Sequence, residues 1–87
     1  MPKISEFYGL LIYMYFSDHA PPHFHVLYNE FEALIEIIER PRVITGFLPT
    51  RAKKMAIEWA QLHLQELKRN WENASHNKKL SKIAPLD

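Results

Sequence analysis

Three of the five histidines, His19, His23 and His25, fall within seven residues of one another. Imidazole ionises near neutral pH and is the commonest metal ligand among side chains, so the cluster admits three kinds of chemistry. Three imidazoles with a nearby carboxylate can hold Zn²⁺ or another divalent ion and leave one position open. Two histidines, a tyrosine and a glutamate can instead cleave RNA without metal, one group taking the 2′-hydroxyl proton and another protonating the leaving oxygen. The third reading is structural: the histidines bond to the neighbouring turn and to each other, and His23 pairs with Glu36 across two strands. The spacing matches none of the established metal-binding motifs, so the sequence leaves all three open.

The elements around the cluster decide where these rings point. Pro21-Pro22 separates His19 from the other two. Proline fixes φ and biases its predecessor toward extended backbone, so Ser17–Pro22 reads as a rigid connector. His23–Tyr28 alternates as a strand should, turns at Asn29-Glu30, and returns as Phe31–Ile38. Counting outward from that turn places Val26 opposite Ala33 and Phe24 opposite Ile35 on the core face. On the other face Leu27 meets Glu32, His25 meets Leu34, and His23 meets Glu36. A slip of one residue would bury both glutamates. Upstream, Phe7–Phe16 is rich in aromatic and β-branched residues and reads as one strand after a short polar lead, Met1–Glu6. Its even positions, Leu10 to Phe16, face the core and Tyr13 and Tyr15 the opposite side, where one of them joins the histidines if this strand pairs with the next with its faces matched. Arg42–Phe47 reads as a fourth short strand.

Leu48-Pro49-Thr50 is a helix-start signal. From Thr50 to Asn73 there is no Gly or Pro, and good helix formers dominate. Ala52, Met55, Ala56, Trp59, His63, Leu67 and Trp71 lie on an apolar arc of roughly 200°, about twice what docking on one sheet requires. Either the tail, residues 75–87, covers the excess, or a second chain does. Trp59, Trp71 and His63 are therefore candidate partner-interface residues. Lys53, Lys54, Lys68, Arg69, Lys78, Lys79 and Lys82 would form a basic strip, diluted by Glu58, Glu66 and Glu72; a solvated mixed-charge face is the plainer reading.

Composition bounds the rest. The 87 residues suffice for one small domain with a modest core, and the formal net charge of +1 argues neither for nor against nucleic acid. The absence of cysteine excludes disulfides and thiolate metal sites. No apolar run is long enough to cross a bilayer and no signal-peptide pattern opens the chain, so a soluble, cytoplasmic protein is expected.

Ile4-Ser5-x-Phe7-Tyr8-Gly9, Ile12-Tyr13-Met14-Tyr15 and Asp18-His19-x-Pro21-Pro22-His23-Phe24-His25 together resemble the bacterial family called domain of unknown function 4160. The likeness continues through Glu58-Trp59, His63, Leu67, Asn70-Trp71 and Ile83-x-Pro85-Leu86. It implies a small stand-alone protein, often encoded beside another small protein in the manner of a toxin–antitoxin pair. It supplies no activity and no catalytic residues.

The expectation is an α+β domain spanning residues 1–87: a three- to four-stranded antiparallel meander over about 7–47, one long helix over about 50–73, and an extended tail. Its functional site would be the sheet face bearing the histidines. The candidate catalytic residues are His23, His25, Glu36 and Tyr15, cleaving RNA without cofactor, with Glu36 orienting His23. His19, His23 and His25 are the candidate ligands if the site holds a metal such as zinc. The partner would be a small protein encoded nearby, or a second copy docked on the helix, with RNA as a candidate substrate and no membrane. The alternative is a non-enzymatic module that binds protein or metal.

Overall fold

A computed structural model describes residues 2–87. Over Phe7–Phe16, where composition suggests one strand, the chain doubles back. Tyr8 and Gly9 take φ of 48° and 82°, and two successive positive φ values suit a two-residue hairpin whose twist matches its strands. The result is β1 (Lys3–Phe7) and β2 (Leu10–Tyr13), antiparallel, with Phe7 opposite Leu10. The expected polar lead is thus mostly strand: Ile4 and Phe7 join the core. Met1 lies outside the described residues. Phe16, expected on the core face, lies beyond the end of β2 and is exposed.

β3 (His23–Tyr28), β4 (Phe31–Glu36) and β5 (Val43–Gly46) complete a five-stranded antiparallel sheet in the order β1-β2-β3-β4-β5. The architecture is α+β as expected, with one more strand because of the Tyr8-Gly9 turn. Between β3 and β4 the register is the one that the hydrophobic pattern requires, from His23 opposite Glu36 to Tyr28 opposite Phe31. Asn29 takes the positive φ of that turn, 53°, which asparagine tolerates better than most residues. Phe24, Val26, Ala33 and Ile35 are fully buried.

Two helices replace the single long one. α1 (Thr50–Leu62) and α2 (Leu64–Ser75) meet at His63, whose φ of −118° and ψ of 28° leave the helical region. Helical hydrogen bonds still bracket the joint: His63 N–H reaches Trp59 O at 3.1 Å and Leu67 N–H reaches His63 O at 2.9 Å. The joint is a bend with no Gly or Pro to announce it. The His63 ring sits against Glu66, Nδ1 to Oε1 2.6 Å, and Glu66 lies in the first turn of α2, where a carboxylate is favoured.

The tail covers the wide apolar arc. Trp59, expected at a partner interface, is fully buried between Phe7 and Phe24, with ring centroids at 5.4 and 5.6 Å. Its indole N–H donates to Ala84 O at 2.8 Å. Buried Asn70 holds the tail with both ends of its amide, donating to Ser81 O (2.9 Å) and accepting from Ser81 N–H (3.0 Å). Ile83 is buried, and its N–H bonds to Ile4 O at 2.8 Å, so the tail also covers the outer edge of β1. His63, also expected at an interface, is half-buried and its ring lies 5.6 Å from that of Trp59. No helix among the described residues is long and apolar enough to cross a membrane.

Gly46 has φ of 84°, and a Cβ there would overlap the Glu32 carbonyl oxygen and come within 2.9 Å of the Ala33 Cα. Gly9, with φ of 82°, has room: its added Cβ would meet the Tyr28 ring at 3.5 Å. Both alanine substitutions strain the backbone, but only Gly46→Ala must also displace a neighbouring strand. Urea denaturation should show Gly46→Ala losing about 1–3 kcal/mol more than Gly9→Ala. Equal losses would contradict this packing.

Candidate functional site

The connector between β2 and β3 carries the site and is tied down at both ends. Ser17 N–H donates to Ala74 O near the end of α2 (3.1 Å), and Ile37 N–H donates to Pro22 O (2.9 Å). The Ala20–Pro21 peptide is cis. Ser17 has φ of 55°, and immediately after it Asp18 Oδ1 accepts the His19 N–H at 2.9 Å, a local side-chain-to-backbone bond of the kind aspartate makes in turns. This leaves Asp18 Oδ2 free to face the sheet.

Asp18 Oδ2 meets two imidazoles. His23 Nε2 lies 2.9 Å away and His25 Nε2 lies 3.2 Å away. The side chains of Asp18, His23 and His25 are 15%, 5% and 11% exposed. His23 and His25 share a sheet face by the alternation of β3, their ring centroids 5.2 Å apart. Trp71 from α2 packs on His23 (5.3 Å), and Tyr15 packs on His25 (4.1 Å).

Proton positions on His23 follow from its partners. Its Nδ1 lies 2.7 Å from Pro21 O. A carbonyl only accepts, so Nδ1 carries the hydrogen. In a neutral ring Nε2 is then a bare lone pair aimed at a carboxylate oxygen, two acceptors at hydrogen-bonding distance. Either a second proton or a cation must lie between them. His25 has the complementary problem. Its Nδ1 is buried without a hydrogen-bond partner, and Glu32 Oε2, at 3.7 Å, is beyond hydrogen-bonding range.

Partial burial pushes the Asp18 carboxyl upward, but hydrogen bonds from His25 and the His19 N–H, with the charge and hydrogen bond of His23, outweigh it and hold the group below the ordinary aspartate value. The carboxylate is ionised at neutral pH. Desolvation, then the charges of Glu32 and Asp18, raises Tyr15 above the ordinary tyrosine value. It keeps its proton at neutral pH and is unsuited to act as a base.

Two expected members stand apart from the cluster. Glu36 is the register partner of His23, but its carboxylate binds exposed Arg42, Oε1 to Nε 2.9 Å. His23 is oriented by Asp18 and Pro21 instead, because both of its ring nitrogens are already engaged there. His19 does not fold back over the other two histidines. Its side chain is 97% exposed, because its backbone N–H, not its ring, satisfies Asp18. Trp71, expected at an interface, is a half-buried support for His23. The residue that the strand pattern missed is Asp18. Its signal was present: a carboxylate five residues before His23, in the same histidine-rich motif.

His23 Nε2, His25 Nε2 and an Asp18 oxygen lie within 4.8 Å of one another. Two imidazoles and one carboxylate this close together form a set that can hold Zn²⁺ or Fe²⁺ and leave positions open. The hydrogen bond from His23 Nδ1 to a carbonyl is the outer support that metal-bound histidines usually have. The cluster borders an open cavity of about 360 Å³, walled by His19, Pro21, Leu34, Ile44 and Thr45.

The sequence model of a family described as a domain of unknown function (DUF4160) matches residues 9–72. No curated protein and no solved structure gives a significant match.

The geometry makes Asp18, not Glu36, the partner of both rings. Asp18→Asn should move the imidazole carbon and proton NMR resonances of His23 and His25 together and cost about 1–3 kcal/mol of stability. Glu36→Gln should leave the His23 resonances in place. The reverse pattern would show that the expected His23–Glu36 pair is the real one.

Proposed function

The chain belongs to the DUF4160 family, and we propose that it is a divalent-metal-binding domain whose ligands are Asp18, His23 and His25. The observation that carries this reading is the contact between His23 Nε2 and Asp18 Oδ2, at 2.9 Å, with His23 Nδ1 committed to Pro21 O. A metal ion among the three groups uses the lone pairs of both Nε2 atoms and the carboxylate charge, and removes the opposition of acceptors. Asp18, held ionised, needs no deprotonation to bind. Three protein ligands leave at least one position toward the cavity. Water held there would be acidified, as in hydrolytic zinc sites.

Metal-free RNA cleavage has less support. His23 and His25 turn their Nε2 atoms onto Asp18, His23 Nδ1 is engaged by Pro21 O, and His25 Nδ1, though unpartnered, is buried, so neither ring offers an accessible nitrogen to a 2′-hydroxyl. Glu36 is held by Arg42. In the toxin–antitoxin-like setting that the family resemblance implies, the metal site is the functional centre of this member of the pair, and the neighbouring small protein is its partner.

Untagged protein stripped with chelator and titrated calorimetrically with Zn²⁺ or Co²⁺ should bind one equivalent. Free metal at about 100 times Kd should stabilise the fold by about 2.7 kcal/mol. His25→Ala and Asp18→Ala, each confirmed folded by circular dichroism, should bind at least about 100-fold more weakly, and His19→Ala within about threefold of wild type. Absence of binding, or equal binding by the ligand variants, would remove this reading.

A further inference from the structure

The lysines of the tail take on a different meaning once the fold brings them beside the end of β2. A groove of about 290 Å³ is lined by Lys3, Phe16, Lys79, Leu80 and Lys82. Phe16 stands at its wall and is 41% exposed. Among the described residues no acidic side chain lines the groove.

The three cations differ in how they are held. Lys82 Nζ donates to Lys3 O at 2.8 Å. That bond fixes the ammonium at the rim and leaves its other N–H groups for an anion. Lys3 is paired with Glu6, three residues on in β1, and both side chains are exposed, an arrangement worth little in water and easily exchanged for a phosphate. Lys79 makes no hydrogen bond or ion pair to another described residue, and Lys78 precedes it. The basic strip expected along the helix and tail is diluted by Glu58, Glu66 and Glu72, none of which is among the described residues that line this groove.

We propose that this groove binds single-stranded nucleic acid, one base stacking on Phe16 and the flanking phosphates meeting Lys3, Lys79 and Lys82. An aromatic side chain sharing a groove with three cations suits a base and its backbone, because every base offers a π-face and every linkage a charge. An acidic peptide would use the lysines and ignore the ring, so Phe16 separates the two ligands. The groove is distinct from the Asp18–His23–His25 cluster and its occupancy needs no metal.

The test uses chelator-treated full-length protein, so that its outcome is independent of the metal site. Fluorescence anisotropy with a labelled twelve-nucleotide oligouridylate should show saturable binding. Three phosphate contacts imply a log–log salt slope near −2, or roughly 20-fold weaker binding at 200 mM than at 50 mM salt. Phe16→Ala and Lys79→Glu, both folded by circular dichroism and both binding zinc as wild type does, should each bind about tenfold more weakly. The proposal is overturned if the oligonucleotide does not bind. It is also overturned if Phe16→Ala binds it like wild type, or if a twelve-residue polyglutamate peptide binds equally tightly.

Discussion

A single carboxylate oxygen, Asp18 Oδ2, faces two imidazole nitrogens at 2.9 and 3.2 Å, and much of the surrounding structure serves that meeting. The two rings come from alternate positions of a central strand, so their common direction follows from the pleat. The carboxylate comes from a loop that would be free to move if nothing held it. It is held by backbone bonds to α2 and to the end of β4, and by aspartate's own bond to the following amide. A negative charge so placed and so little exposed requires compensation, and His23 cannot supply it as a neutral ring because its other nitrogen must donate to Pro21 O. A proton or a metal ion completes the arrangement. The sheet, the connector and Trp71 all act to keep that choice to one small volume.

The tail has the corresponding role on the other side of the fold. A chain of 87 residues has little interior, and its helices carry more apolar surface than one sheet can cover. Asn70, Trp59 and Ile83 fasten residues 81–84 across that surface by hydrogen bonds to backbone groups. Such bonds are specific in register, since each names one carbonyl or amide. The wide apolar arc therefore finds its cover within the chain: Trp59, which looked like a partner anchor, lies in the core, and Trp71 packs half-buried against His23.

The parts of the fold that alternate were legible in the sequence. The β3–β4 hairpin could be counted residue by residue, because shifting it would bury Glu32 and Glu36. The direction of His23 and His25 followed from the same count. Two things were not legible. The Tyr8-Gly9 turn interrupts a run so apolar on both sides that composition alone reads it as continuous, though Gly9 was a signal. The bend at His63 has no breaker residue; it arises from tertiary packing and its local bond to Glu66. The partner of the histidines was misjudged for a clear reason. Cross-strand neighbours favour Glu36, but Arg42 lies within reach of that carboxylate, and Asp18 approaches from a loop whose path depends on contacts with α2 that no local pattern encodes.

The proposed function requires a metal ion among Asp18, His23 and His25. Crystals grown with Zn²⁺ and measured at the zinc absorption edge would test this most directly. One strong anomalous peak is expected about 2.0–2.2 Å from His23 Nε2, His25 Nε2 and an Asp18 oxygen. A map without density there, at metal concentrations that occupy surface histidines such as His19, would mean that the Asp18 cluster is held by a proton and that its role is to lock the connector onto the sheet.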